Sequence, residues 1–135
     1  MLIEELETIT QEKILITSDE LATRTKKFAV RIVRLSAALP RSREADVLGR
    51  QLLRSGTSIG ANYREPRRAR SKPDFLSKIG VCVQEADETC YWIELLAEAE
   101  IVKASRLSAL LDEANQLVAI FTASGRTASG YRGKE

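Results

Sequence analysis

Phe75, Ile79, Cys82, Ala86, Thr89, Ile93 and Leu96 follow one another in strict steps of four and three. Sustained over three heptads, that alternation lays apolar and small side chains along one stripe of an α-helix; a β-strand, which turns its side chains every second residue, would scatter them over both faces. The spacing predicts a long amphipathic helix that must bury this stripe against others. Ser71 with Asp74 three residues later forms a capping-box-like start, and Pro73 is tolerated in the first turn.

The same spacing recurs on either side. Leu21, Thr25, Phe28, Ile32, Leu35 and Leu39 predict a first helix over about 19–39, with Ser18 or Asp19 as its cap and Pro40 as its stop. Leu48, Leu52, Ser55, Ile59 and Asn62 predict a second from near Glu44, and Leu107, Leu110, Leu111, Ala114, Leu117, Val118 and Phe121 a fourth that fades at Ser124-Gly125. Four such helices, short connections and no alternating strand pattern specify an all-α, antiparallel up-and-down four-helix bundle. The expected organisation is an N-terminal extension over 1–18, with a short helix through Leu2, Ile3, Leu6 and Ile9; the bundle over 19–124; and a flexible tail over 125–135.

The second helix has an unusual middle. Ser55, Gly56, Thr57, Ser58, Gly60, Ala61 and Asn62 fall together, and a phosphate-binding loop is the competing reading. The segment lacks the GxxxxGK[ST] order and no strand-like run precedes it. Gly56 and Gly60, four apart, are better explained as one face that lets a neighbouring helix come close. Ser55, Thr57 and Asn62 then need polar partners wherever that helix is buried.

Composition removes whole classes of chemistry. The 135 residues contain no histidine, which excludes Ser-His-Asp and Cys-His nucleophile pairs, His-ligated zinc and the Glu-x-x-His metal sites of bundle enzymes. Glu85 or Asp87 near Ser55 or Thr57 could move a proton, but no nucleophile-base-orienter set stands out. No catalytic residue, metal site, cofactor or small-molecule substrate is expected. Cys82 and Cys90 lie about 12 Å apart along one helix axis, too far for a disulfide, and are expected as buried thiols. With an acidic N-terminus lacking a signal-like apolar core, and no membrane-spanning run, the expected compartment is the cytoplasm.

Net charge is only +2, yet it is distributed in blocks. Residues 1–20 carry −5, 21–40 carry +5, 41–72 carry +6, 73–100 carry −6 and 101–135 carry +2. Within the third block, Arg64, Arg67, Arg68, Arg70 and Lys72 put five cations into nine residues. They are the candidate nucleic-acid-binding residues, with no aromatic stacking platform or base-reading set beside them. Arg54 and Arg64 opposite Glu85, Asp87 and Glu88 form a candidate polar network, within one subunit or between subunits.

Leu52 to Trp92 resembles the bacterial four-helix-bundle proteins first noticed as reading frames within 23S rRNA intervening sequences. The residues that carry the resemblance are RSGTSIGANYRE at Arg54–Glu65, the RARSK-DF block at Arg68–Phe75 and EADETCYWIELL at Glu85–Leu96. It extends over roughly residues 20–125. Pro66, where the family pattern more often has Ala, is expected to end the second helix a turn early. The resemblance implies a left-handed bundle assembled as a ring-shaped homopentamer, with no enzymatic activity. It also implies similarity to accessory proteins of diversity-generating retroelements, which share the bundle and are associated with nucleic acid and a reverse transcriptase. Two functions follow: RNA or DNA binding through a basic rim repeated around the ring, or a scaffold whose partner is another protein.

Overall fold

The computed structural model describes residues 16–130 apart from Glu65, with backbone only for Arg67. Four helices account for nearly all of it: α1 (Ser18–Ala38), α2 (Arg43–Tyr63), α3 (Lys72–Glu98) and α4 (Ala104–Ser129), with a 3₁₀ turn at Pro66–Arg68 between α2 and α3. No strand occurs among the described residues. The chain is an all-α four-helix bundle.

Pairs of touching residues show the topology. Thr25, Ile32 and Leu39 of α1 and its end meet Gly60, Gly56 and Gly49 of α2 in that order, so the two run antiparallel. Ile79 and Cys90 of α3 likewise meet Gly125 and Asn115 of α4. The core is the expected stripe: Phe28, Ile32, Leu52, Ile59, Ile93, Leu96, Leu117 and Phe121 are fully buried. On α3 every member of the seam from Ile79 to Leu96 is buried, and Phe75 is half-buried.

The close-packing reading of the small-residue run holds. A Cβ on Gly56 would lie 2.7 Å from Ile32 Cγ1, and one on Gly60 would lie 3.2 Å from Thr25 Oγ1. Both distances fall inside ordinary contact, so α1 and α2 approach more closely there than any other residue type permits without displacement.

Two boundaries differ from expectation. The α1 cap is Thr17, not Ser18 or Asp19: its hydroxyl accepts from Glu20 N at 3.0 Å and the Glu20 carboxylate accepts from Thr17 N at 2.9 Å, a reciprocal capping box. Helix α4 runs on past Ser124-Gly125 to Ser129. Gly125 lies within the helix facing Ile79, whose Cγ2 would be 3.5 Å from a Cβ added there, and Ala123 is buried. The stop is Gly130, whose φ of 77° lies in the left-handed region that ends helices. The tail expected from 125 is therefore helical through Ser129, while 131–135 and the expected N-terminal helix through Ile9 lie outside the described residues. Ahead of Pro66, α2 closes at Tyr63 with Arg64 as its cap.

Candidate nucleic-acid interface

Pro66 has no N–H to continue α2 and its fixed φ suits the start of a turn. The chain therefore bends through the 3₁₀ turn, closed by Ala69 N donating to Pro66 O at 3.1 Å. It re-enters a helix at Ser71, whose hydroxyl accepts from Asp74 N at 3.2 Å. This single connection carries all five candidate cations to one end of the bundle. Arg64, Arg68, Arg70 and Lys72 are exposed, and among the described residues none of these four is in an ion pair. Arg67 sits in the turn between them. The unbonded N–H groups at the start of α3 add positive potential at the same place. Asp74, one turn in, is held by Lys78 at 3.3 Å.

Tyr63, the aromatic nearest the cluster, belongs to the core. It is 7% exposed, its ring packs against Phe121 at 5.4 Å between centroids, and its hydroxyl bonds Ser18 Oγ at 3.1 Å. Base stacking on it is blocked, and phosphate contact is what the exposed side chains can offer.

The candidate polar network resolves into part of what was expected. Arg54 reaches Glu85 at 3.4 Å and also pairs with Glu88, both on α3 of the same subunit. Glu88 Oε1 additionally accepts from Trp92 Nε1 at 3.1 Å. The Arg54 hydrogen bond first, and the Trp92 one as well, hold the Glu88 carboxyl below the usual carboxylate range. Arg64 stands ten residues on, about 15 Å along α2, and takes no part; Asp87 is exposed on another side of α3. Pairing across α2 and α3 within one chain is therefore the arrangement for Arg54.

Ser55, fully buried, bonds the equally buried Thr89 hydroxyl at 3.0 Å, and Thr89 also reaches the Glu85 carbonyl at 2.7 Å. Thr57 and Asn62 instead satisfy themselves on their own helix, at Leu53 O (2.7 Å) and Ser58 O (2.8 Å). Only Ser55 of the three links two helices.

One pair was not foreseen. Arg24 donates to both carboxylate oxygens of Glu113 at 2.7 and 2.6 Å and to Gln116 Oε1 at 2.7 Å. This fork spans the seam between α1 and α4, the least intimate contact of the bundle, beside a cleft of about 600 Å³ lined by Lys27, Phe28 and Arg31. A fixed planar donor pair matched to a carboxylate resists shear between the helices.

Cys82 and Cys90 are free and buried. Burial pushes their thiols up to about 12 and about 11, leaving almost no thiolate near neutrality. Among the described residues no cluster of metal-binding side chains occurs and no helix is long and apolar enough to cross a membrane.

Residues 18–123 match the family model of 23S rRNA-intervening sequence proteins. The fold is also similar to the crystal structure of a Bacteroides thetaiotaomicron protein, described as of unknown function and from the S23 ribosomal protein family. That structure is 34% identical, with a TM-score of 0.75, and the match covers 81% of this chain and 97% of that one. Nothing among curated proteins matches.

Proposed function

Because the chain belongs to the 23S rRNA-intervening sequence protein family, we propose that it works without catalysis, as a cytoplasmic homopentameric ring that binds nucleic acid through a basic rim. The observation that carries this is the α2–α3 connection: Arg64, Arg68, Arg70 and Lys72 exposed together at one end of the bundle, with Arg67 in the same turn. Five copies would place about 25 cations around one rim, and affinity would then rise with each counterion released from phosphate. The family's name and the structural relative's description as S23 ribosomal both favour RNA as the nucleic acid. Binding without sequence preference follows from a surface of cations with no stacking ring and no base-reading side chain.

The test is fluorescence anisotropy with single-stranded and duplex RNA at about 50 and about 200 mM salt, where several phosphate contacts predict a loss of about a thousandfold in affinity. The Arg67→Ala/Arg68→Ala/Arg70→Ala variant should lose binding while light scattering shows the same subunit number. Absence of binding at low salt would leave the protein-scaffold reading in its place.

A further inference from the structure

Arg54 is occupied within its own chain, which leaves other acids of α3 open on its outer face. Asp87, Glu94 and Glu98 are exposed and in no ion pair among the described residues. Together with Tyr91 they fall in steps of four, three and four, a single stripe on the outer face of α3. Tyr91 is 56% exposed, the most open large apolar side chain among the described residues, and its ring is braced edge-on against Trp92 at 5.0 Å.

The outer face of α1 is its complement. Lys27, Arg31 and Arg34 fall in steps of four and three, are exposed, and are in no ion pair among the described residues. Beside them run Val30 and Val33, 42% and 47% exposed. Lys27 to Arg34 spans seven residue steps, about 10.5 Å of helix, and Asp87 to Glu98 eleven, about 16.5 Å, so the acidic stripe is long enough to cover the basic one and is opposite to it in sign. An apolar strip flanked by charge on both faces describes an interface core with a polar rim. Helices α1 and α3 are not neighbours in the bundle: α2 lies between them on one side and α4 on the other. Their outer faces thus point to opposite sides of the molecule.

We infer that α1 of one subunit docks on α3 of the next copy of this chain, with Lys27, Arg31 and Arg34 against Asp87, Glu94 and Glu98 and with Tyr91 seated on Val30 and Val33. Two different patches on opposite sides of one molecule give a head-to-tail contact, which closes into a ring when the rotation per subunit divides the circle. This rests on the ring proposed above and names the contact that builds it. It also separates the duties of the two basic blocks: 21–40 for assembly, 64–72 for phosphate.

The experiment is light scattering on the full chain in low salt, with circular dichroism as the check on folding. Lys27→Glu/Arg31→Glu and Asp87→Lys/Glu94→Lys, all at exposed positions, should each fall to the monomer mass of 15.0 kDa. The fourfold variant, with both faces reversed, should reassemble; restoration cannot come from a merely destabilised fold. Tyr91→Ala should weaken assembly without any change of charge. An oligomeric wild type whose two double variants stay assembled overturns this contact and leaves the ring standing, whereas a monomeric wild type removes the ring and the contact together. Loss of RNA binding in Lys27→Glu/Arg31→Glu with the oligomer intact overturns it as well, because it assigns the α1 cations to phosphate.

Discussion

Gly56 and Ile32 meet with no room between them. A Cβ at Gly56 would lie 2.7 Å from Ile32 Cγ1 and 2.8 Å from its Cγ2, and Ile32 is fully buried. Both branches of the side chain block the space, so no rotamer change clears it.

Gly56→Ala should therefore destabilise the bundle by about 1–2 kcal/mol, the overpacking cost exceeding the roughly 1 kcal/mol that Ala gains in helix propensity. Gly80→Ala, on α3 with nothing within 4 Å of the added carbon, should go the other way by about 0.5–1 kcal/mol. Urea unfolding at one fixed protein concentration reads both. A stabilising Gly56→Ala would mean that α1 and α2 are free to separate there.

Much of this was legible in the chain because it is local. A 4-3 seam states which face is buried, so the α3 stripe from Ile79 to Leu96 could be read directly, and Gly56 with Gly60 signalled close approach by lying four apart. The cations from Arg64 to Lys72 are contiguous, and Pro66 marks where they turn. Boundaries were less legible, since Thr17, Ser18 and Asp19 are all good caps and only the reciprocal bond from Glu20 decides among them. Gly125 looked like a stop because packing against Ile79 is not visible locally. Arg24 with Glu113 lies beyond local reading altogether: 89 residues separate them, and only the closure of α1 on α4 makes them partners. Sequence blocks of opposite charge were informative in sum, yet they could not say that Arg54 pairs inside the chain.

Ser55 and Thr89 make a buried hydroxyl pair, and burying one hydroxyl without the other costs more than removing both. Thr89→Val should cost about 1–2 kcal/mol and Ser55→Ala about 1 kcal/mol. The double variant should fall short of their sum by at least about 0.5 kcal/mol. Strict additivity in denaturant unfolding would show that the two hydroxyls act through their own helices alone.

Glu100 has φ of 58°, directly after the α3 cap. Its N–H donates to Ala97 O, and Ile101 N donates to Leu96 O, both at 3.0 Å, the double bond pattern of a left-handed helix ending. Glycine adopts that backbone without a Cβ clash, so Glu100→Gly should stabilise by about 1 kcal/mol. Glu98→Gly, still within α3, should destabilise by a similar amount. A thermal melt that moves down for both would show that the turn is not held in this conformation.

Glu88 provides a pH signal that can be read optically, because Trp92 is the sole tryptophan and its indole N–H donates to the Glu88 carboxylate. The folded carboxyl is held below its ordinary value, chiefly by Arg54. A depressed carboxyl contributes stability above its unfolded pKa of about 4.3 and loses it as pH falls through the lower folded value. On acidification, Trp92 emission should change with a midpoint below about 4.3, before the bundle unfolds by circular dichroism. Arg54→Met removes the main cause of the depression and should move that midpoint upward; Glu88→Gln should erase the transition. An emission midpoint that ignores the loss of Arg54 would mean that the arginine does not hold Glu88 in solution, and the α2–α3 charge pairing would have to be reassigned.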